Sequence, residues 1–110
     1  MQILLVEDDS LLADGIVSAL RRAGFAVNWL DNGKAACTYV VAEPPDILLL
    51  DLGLPDMDGH ALARKLREST ATGPLHLMAL TGYGQTADRE EALRNGFDEH
   101  MAKPANLDVL

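Results

Sequence analysis

Residues 47–55 read ILLLDLGLP, an apolar run that ends in a carboxylate and then turns through glycine and proline. Four consecutive apolar residues without alternation predict a strand buried on both faces, as in a parallel sheet packed between helices. Ligands of such folds collect at the carboxyl ends of strands, so Asp51 is either a chemical group or a cap for the following turn. The residues that share its sheet edge decide between these two interpretations.

The size and composition of the chain predict one globular domain. It has 110 residues, of which 48% are hydrophobic and 24% charged, and no segment is repetitive or rich in proline and serine. This composition supports one sizeable core and argues against disorder. The apolar runs are far shorter than the roughly 18 residues of a membrane span, and the N-terminus lacks the basic region of a signal peptide. We therefore expect a cytoplasmic protein without membrane contact.

The charge balance and the cysteine count exclude further classes. The net charge is −8 with nine basic residues, which gives no cationic face for nucleic acid, so this chain alone is not expected to bind DNA or RNA. Cys37 is the single cysteine and lies in an apolar helical stretch, residues 34–42. A buried small hydrophobe is a better interpretation of it than a reactive thiol.

Alternating strand and helix patterns, with short turn signals between them, predict an α/β layer fold. Gly24 is the expected end of the first helix, and Pro44-Pro45 prevents continuation of the second. We expect residues 3–6, 47–50 and 77–80 to form the core. The predicted strands cover about 2–6, 25–30, 46–51, 75–80 and 97–102, and the predicted helices about 10–23, 32–42, 58–68 and 86–95, which makes five βα units with the last incomplete.

Polar residues follow the predicted strands at one edge of this sheet. Strand one ends in Glu7-Asp8-Asp9, strand three in Asp51 and strand four in Thr81, and Lys103 follows strand five. Each has an ordinary explanation alone: Asp9 or Ser10 can cap the first helix, Thr81 can form a turn hydrogen bond, and Lys103 can be a solvated charge. Together they predict a pocket.

The chemistry of this pocket suggests a metal ion and a phosphoryl group. Carboxylates brought close together repel one another unless a cation neutralises them, and oxygen ligands suit Mg²⁺. Mg²⁺ and a lysine in one pocket can hold phosphoryl oxygens, and a carboxylate can attack phosphorus. Thr81 would offer a hydroxyl donor to the product.

At this point the chain resembles the receiver domain of two-component response regulators. The matching motifs are LVEDD at 5–9, LDLGLP with DMDG at 50–59, ALTG at 79–82 and KP at 103–104, in the family's order and spacing. The resemblance implies a CheY-like, flavodoxin-like fold: a doubly wound five-stranded parallel sheet of order 2-1-3-4-5 with helices on both faces. It also implies one receiver domain over residues 1–110, with its last helix truncated and any output domain absent.

The resemblance implies a role for each residue of the acidic site. Asp51 would be the phosphoacceptor, receiving its phosphoryl group from a phosphohistidine on a partner histidine kinase or histidine phosphotransfer protein. Asp8 and Asp51 would bind Mg²⁺ through their side chains and Gly53 through its backbone carbonyl. Glu7 would act through a water molecule. Asp9 would either cap the helix or support the ligands from behind, without binding the ion itself.

Three further residues receive roles from the resemblance. Lys103 would pair with the acidic site and then with the phosphoryl group. Thr81 would shift toward a phosphoryl oxygen, and His100, three residues before the lysine, would turn inward behind it as a switch. The alternative for His100 is a partly exposed strand residue with no switching role. His60 and His76 are expected at the surface.

The resemblance does not assign the output. A histidine at position 100 replaces the Tyr or Phe common in receivers fused to DNA-binding domains and is familiar in receivers attached to sensor kinases. Residues 81–85 and 96–100 favour the kinase-attached class, whereas residues 1–58 look more like a transcription-factor receiver. Receiver domains take part in their own phosphorylation, but their product is a conformational signal, so the resemblance implies a signalling module rather than an enzyme that turns over substrate.

Competing functions are weaker but remain open. An Asp-nucleophile phosphatase would need a second Asp where Gly53 stands, and a flavin-binding module would need a phosphate-binding loop in place of Glu7-Asp8-Asp9. A pseudo-receiver that acts only as an interaction module is the more serious alternative.

Gly53 has no side chain to orient a hydrolytic water near Tyr83, so we expect autodephosphorylation to be slow.

The C-terminal segment is shorter than the fold requires. Residues 106–110 can form barely one turn, whereas a helix covering this side of the sheet needs about ten residues. An uncovered apolar strip beside strand five would favour a homodimer or domain swap through strand four, strand five and the last helix.

Overall fold

A parallel sheet forms the middle layer of the molecule. The computed structural model describes residues 1–68, 75–81, 94 and 96–102. Within these residues the sheet has five strands in the order β2-β1-β3-β4-β5, and every pair is parallel. The predicted strand order is therefore confirmed. The strands are β1 (Gln2–Val6), β2 (Ala26–Leu30), β3 (Ile47–Asp51), β4 (His76–Thr81) and β5 (Glu99–Ala102), and the helices are α1 (Ser10–Arg22), α2 (Gly33–Ala42) and α3 (Gly59–Glu68).

Two hydrophobic clusters cover the two faces of the sheet. Alternate residues of β1 belong to different clusters, because successive side chains of a strand point to opposite faces of the sheet. Leu4 and Val6 join the cluster that includes buried residues of α2 and α3, whereas Ile3 and Leu5 join the cluster formed with α1. The predicted core is buried apart from Ile47, which is half-buried. The run that defined β3 therefore lies in the centre of a doubly wound sheet.

Side chains and glycines define the helix ends as the sequence suggests. Asp9, rather than Ser10, caps α1: its Oδ1 accepts the N–H groups of Leu11 at 3.0 Å and Leu12 at 3.2 Å. Asn32 caps α2 by accepting the Ala35 N–H at 2.8 Å. Gly24 follows α1 with a φ of 97°, which is the left-handed conformation expected of a glycine stop.

Strand β5 begins two residues later than predicted. Asp98 does not extend the strand, because its carboxylate accepts the Leu77 N–H at 2.8 Å while its own N–H donates to the Leu77 carbonyl at 2.8 Å. The Arg67 guanidinium of α3 donates to the same carboxylate at 2.6 Å and to the carbonyl of Gly96 at 2.8 Å. Arg67 thus fastens the start of β5 to α3.

Some predictions on single residues are modified by packing. Cys37 is half-buried against the core rather than fully buried. His60 and His76 are half-buried at the surface, and the side chain of His76 is 42% exposed. The ring of His60 packs edge-on against Phe97 with centroids 5.9 Å apart, and His76 Nε2 lies 3.0 Å from Glu99 Oε2.

The predicted fourth helix, about 86–95, lies largely outside the described residues, and the short segment 106–110 lies wholly outside them. The strip expected beside strand five depends on that segment and stays a prediction. Among the described helices, none combines the length and the hydropathy needed to cross a membrane.

Candidate functional site

Three carboxylates meet at the carboxyl edge of the sheet. Glu7 and Asp8 follow β1, and Asp51 ends the adjacent strand β3, whose register pairs Leu50 with Val6. One oxygen from each carboxylate lies within 4.8 Å of the others. The predicted clustering of these residues is therefore confirmed. Glu7 is fully buried and Asp51 is 2% exposed, whereas Asp8 is exposed and faces the solvent side of the site.

Backbone N–H groups orient the two buried carboxylates. The Gly53 N–H donates to Asp51 Oδ1 at 3.0 Å, and the Asp9 N–H donates to Glu7 Oε1 at 3.2 Å. Both donors lie two residues after the carboxylate, in the turn that follows its strand. Hydrogen bonds from N–H groups restrict the rotamers of a carboxylate. The turns after β1 and β3 therefore hold these two carboxyl groups at a defined place.

A glycine allows α3 to begin directly against the Asp51 loop. A Cβ atom on Gly59 would lie 2.7 Å from the Cα of Leu52 and 2.9 Å from the carbonyl oxygen of Asp51. Both distances are to backbone atoms, which cannot move aside as a flexible side chain does. The motif DMDG thus ends in glycine because the helix passes so close to the backbone that carries Asp51.

Asp56 ties the same loop to α2. Its Oδ1 accepts the Gly33 N–H and its Oδ2 accepts the Lys34 N–H, each at 2.9 Å. The bond from the Gly33 N–H, followed by that from Lys34, lowers the pKa of Asp56 from its ordinary value of 3.8. The sequence did not predict this contact. The general preference of helix N-termini for carboxylates gives a signal, but it does not select Asp56 from the other acidic residues of this edge.

Trp29 reaches the acidic site from the outer strand β2. Its indole Nε1 donates to the backbone carbonyl of Glu7 at 2.7 Å. The sequence did not predict this contact either, because an aromatic residue on a predicted strand is first interpreted as packing against the sheet. Its position at the carboxyl end of β2 was the only signal available.

The remaining predicted site residues are Thr81, Lys103 and His100. Thr81 is the last residue of β4, one residue beyond the Leu80 that pairs with Asp51, so its backbone lies at the acidic edge. Its side chain and the whole of Lys103 lie outside the described residues. His100 pairs with Ala79 in the β4–β5 ladder and is half-buried. The roles predicted for these residues and for the Gly53 carbonyl stay predictions.

The structure defines a doubly wound parallel α/β domain with a carboxylate cluster at the carboxyl edge of its sheet, and comparison with known proteins identifies its family. The family model described as "Response regulator receiver domain" matches residues 3–110. The chain therefore belongs to the response regulator receiver domains, a family of signalling domains. The resemblance inferred from the motifs and the predicted fold class are both confirmed.

Relatives and solved structures agree with this assignment. The chain is 43% identical over 110 residues to the response regulator protein PmrA of Pseudomonas aeruginosa, covering 100% of this chain and 49% of PmrA. It therefore spans about half the length of that relative.

Two solved structures are similar as well. The receiver domain of the sensor histidine kinase PA1611 from Pseudomonas aeruginosa, described with a magnesium ion coordinated in the active site cleft, has a TM-score of 0.84 and 31% identity, covering 96% of this chain and 86% of that one. A response regulator from Burkholderia pseudomallei, described with a phosphorylated aspartic acid, calcium ion and citrate, has a TM-score of 0.86 and 29% identity. The match covers 98% of this chain and 62% of that one.

Proposed function

We propose that this domain accepts a phosphoryl group on Asp51, with Mg²⁺ as cofactor, and passes the signal on by a change of conformation. The observation that carries the proposal is the convergence of the Glu7, Asp8 and Asp51 carboxylates within 4.8 Å, two of them buried. Burying like charges together costs free energy, so this arrangement is stable when a cation joins it. A module that served only for protein interaction would have no need of it.

The donor set fits Mg²⁺. All the candidate ligands are oxygens, which hard divalent cations prefer, and the cluster contains no sulfur or imidazole donor. Asp8 and Asp51 would hold the ion through their carboxylates, Gly53 through its backbone carbonyl and Glu7 through a water molecule. Bound Mg²⁺ would neutralise these carboxylates and shield the charge of an incoming phosphoryl group. The magnesium ion described in the PA1611 receiver domain supports this assignment.

Asp51 would act as the nucleophile. One of its carboxylate oxygens forms a bond to phosphorus while the bond from phosphorus to the imidazole nitrogen of a phosphohistidine breaks, and the electron pair of that bond stays on the nitrogen. The product is an aspartyl phosphate and a histidine. The Gly53 N–H at 3.0 Å keeps the Asp51 carboxylate in one orientation before the reaction. The phosphorylated aspartic acid described in the Burkholderia pseudomallei protein supports this chemistry.

Lys103, Thr81 and His100 would complete the switch. Lys103 would pair with the acidic site and later with the phosphoryl group, and the Thr81 hydroxyl would donate to a phosphoryl oxygen. His100 would then turn inward behind Thr81. The position of Thr81 at the end of β4, beside the level of Asp51, supports its part in this sequence.

The wider setting belongs to the same proposal. The chain would act in the cytoplasm as one receiver domain over residues 1–110. Its phosphodonor would be a sensor histidine kinase or a histidine phosphotransfer protein, and an association of two copies would be either a homodimer or a domain swap through β4, β5 and the last segment. The domain would catalyse only its own phosphorylation and a slow autodephosphorylation.

Small phosphodonors test the proposal without a partner protein. The domain is incubated with acetyl phosphate or phosphoramidate in MgCl₂, and its intact mass is measured. We expect a gain of one phosphoryl group in MgCl₂ and no gain in a parallel incubation in which EDTA has removed the metal. A mass gain of equal size and rate in EDTA would contradict the role of Mg²⁺, and no gain in either buffer would contradict the phosphoacceptor function itself.

A further inference from the structure

The hydrogen bond from Trp29 to Glu7 lies where the ladder between β1 and β2 ends. The last pair of that ladder is Val6 with Leu30, and the Glu7 N–H donates to the Leu30 carbonyl at 3.0 Å. The Glu7 carbonyl then accepts the Trp29 indole N–H at 2.7 Å. Both backbone groups of Glu7 are therefore bound to β2, although Glu7 is outside the strand.

This carbonyl controls the direction in which Asp8 leaves the sheet. It belongs to the peptide group that joins Glu7 to Asp8, and that group is planar, so fixing its oxygen also fixes the Cα of Asp8. On the other side, Glu7 Oε1 accepts the N–H of Asp9 at 3.2 Å. Two hydrogen bonds thus fix the turn that carries Glu7 and Asp8, one at each end. The Trp29 indole donates one of them, and the Asp9 N–H donates the other.

The Glu7 carbonyl needs this partner, because Glu7 is fully buried. A buried carbonyl without a hydrogen bond costs free energy, and the indole N–H of Trp29 supplies the bond at 2.7 Å. Trp29 itself is 37% exposed, so the group that fixes this buried carbonyl comes from the outer strand of the sheet.

We propose that Trp29 is a positioning residue for the metal site: its indole N–H holds the Glu7–Asp8 peptide so that the Asp8 carboxylate converges with those of Glu7 and Asp51. The inference rests on the proposed function, since the metal is the ligand for which this geometry is needed. Trp29 does not contact the metal, and it acts only through the backbone of Glu7.

A change of one ring atom tests the proposal. The chain contains a single tryptophan, so residue-specific incorporation replaces Trp29 alone. 3-Benzothienylalanine keeps the ring shape but has sulfur in place of the N–H, and 5-fluorotryptophan, which retains the N–H, is the matched control. The Kd for Mg²⁺ is measured from the rise of Tm with MgCl₂ concentration and, independently, from displacement of Mn²⁺ followed by EPR.

We expect the benzothienyl protein to bind Mg²⁺ about 3- to 10-fold more weakly, the range that loss of one hydrogen bond gives, and the fluorotryptophan protein to bind as the unmodified one. Val27→Ala removes a buried side chain from the same strand and serves as a stability control: it should lower Tm without changing the Kd.

The outcomes separate the two proposals. If unmodified protein binds Mg²⁺ and Asp8→Asn weakens that binding by at least about tenfold, the proposed metal site stands. An unchanged Kd in the benzothienyl protein would then overturn the role of Trp29 alone, even if its Tm fell. Absence of Mg²⁺ binding in the unmodified protein would overturn both proposals together.

Discussion

The carboxylate of Asp56, in the loop between β3 and α3, binds the backbone of Gly33, the first residue of α2. Its Oδ1 accepts the Gly33 N–H at 2.9 Å. The second oxygen accepts the Lys34 N–H at the same distance. The loop after Asp51 is thereby attached to the first turn of α2, where the exposed N–H groups of a helix favour negative charge. Neighbouring atoms are closely placed here, since a Cβ on Gly33 would lie 2.5 Å from the Cγ of Met57.

Asp56→Ala should destabilise the domain at neutral pH but not in acid. The folded-state pKa of Asp56 is lowered below 3.8, chiefly by the Gly33 N–H and then by that of Lys34. A lowered pKa in the folded state means that the ionised form stabilises the fold above the ordinary pKa. That stabilisation is lost as the pH falls through the folded-state pKa. Urea denaturation at pH 7 and at several values below pH 3.8 measures the difference between variant and unmodified protein.

Asp14→Ala is the control for this experiment, because Asp14 is an exposed carboxylate on α1 and its removal changes the net charge equally. Its effect on the free energy of unfolding should be small. If the free energy of unfolding of Asp56→Ala stayed lower than that of the unmodified protein by the same amount at pH values where the carboxylate is protonated, the lowered pKa of Asp56 would not be the cause.

Gly59→Ala and Gly15→Ala should have opposite effects. A Cβ at position 59 meets backbone atoms at 2.7 and 2.9 Å, so we expect a loss of about 1–3 kcal/mol in the free energy of unfolding, as for overpacked sites. Gly15 lies within α1, where a Cβ would enter open space with nothing from the rest of the described structure within 4 Å, so alanine there should stabilise by about 0.5–1 kcal/mol. Denaturant unfolding measures both.

The same pair distinguishes damage to the site from damage to the fold. The displaced backbone in Gly59→Ala carries Asp51, so phosphorylation by acetyl phosphate should slow at a temperature where the variant is still folded. Gly15→Ala should be phosphorylated at the unmodified rate. Equal stability of the two variants would show that α3 does not begin as close to the Asp51 loop as described.

Asp8→Asn should weaken Mg²⁺ binding by at least about tenfold, because it removes a charged ligand from the cluster. Asp9→Asn is a close control, since it removes the same charge from the next residue while asparagine caps α1 as well as aspartate does. Its Kd for Mg²⁺ should change little. Mn²⁺ EPR with Mg²⁺ competition provides the measurement, and a similar loss in both variants would indicate general electrostatic attraction rather than coordination by Asp8.

The sequence was sufficient for the features that depend on strand periodicity. Unalternated apolar runs located β1, β3 and β4, and the rule that parallel strands end at one edge was enough to bring Glu7, Asp8 and Asp51 together. The clustering follows from two local facts, the end of each strand and the identity of the residue there.

The contacts that the sequence did not predict are long-range and join side chains to backbone. Trp29 binds a carbonyl 22 residues away and Asp56 binds an N–H 23 residues away, and neither partner has a side-chain identity that marks it. The start of β5 was placed too early for a similar reason, since the bonds of Asp98 to Leu77 and Arg67 depend on how three elements meet. Such contacts require the tertiary arrangement itself.

Locating the phosphoryl group on the chain distinguishes Asp51 from every other carboxylate. The domain is phosphorylated with acetyl phosphate in MgCl₂, the aspartyl phosphate is reduced with borohydride to homoserine, and peptide mass spectrometry locates the altered residue. We expect homoserine at position 51 alone and no phosphoryl gain in Asp51→Asn. Modification at another carboxylate in the unmodified protein, or an undiminished gain in Asp51→Asn, would contradict it.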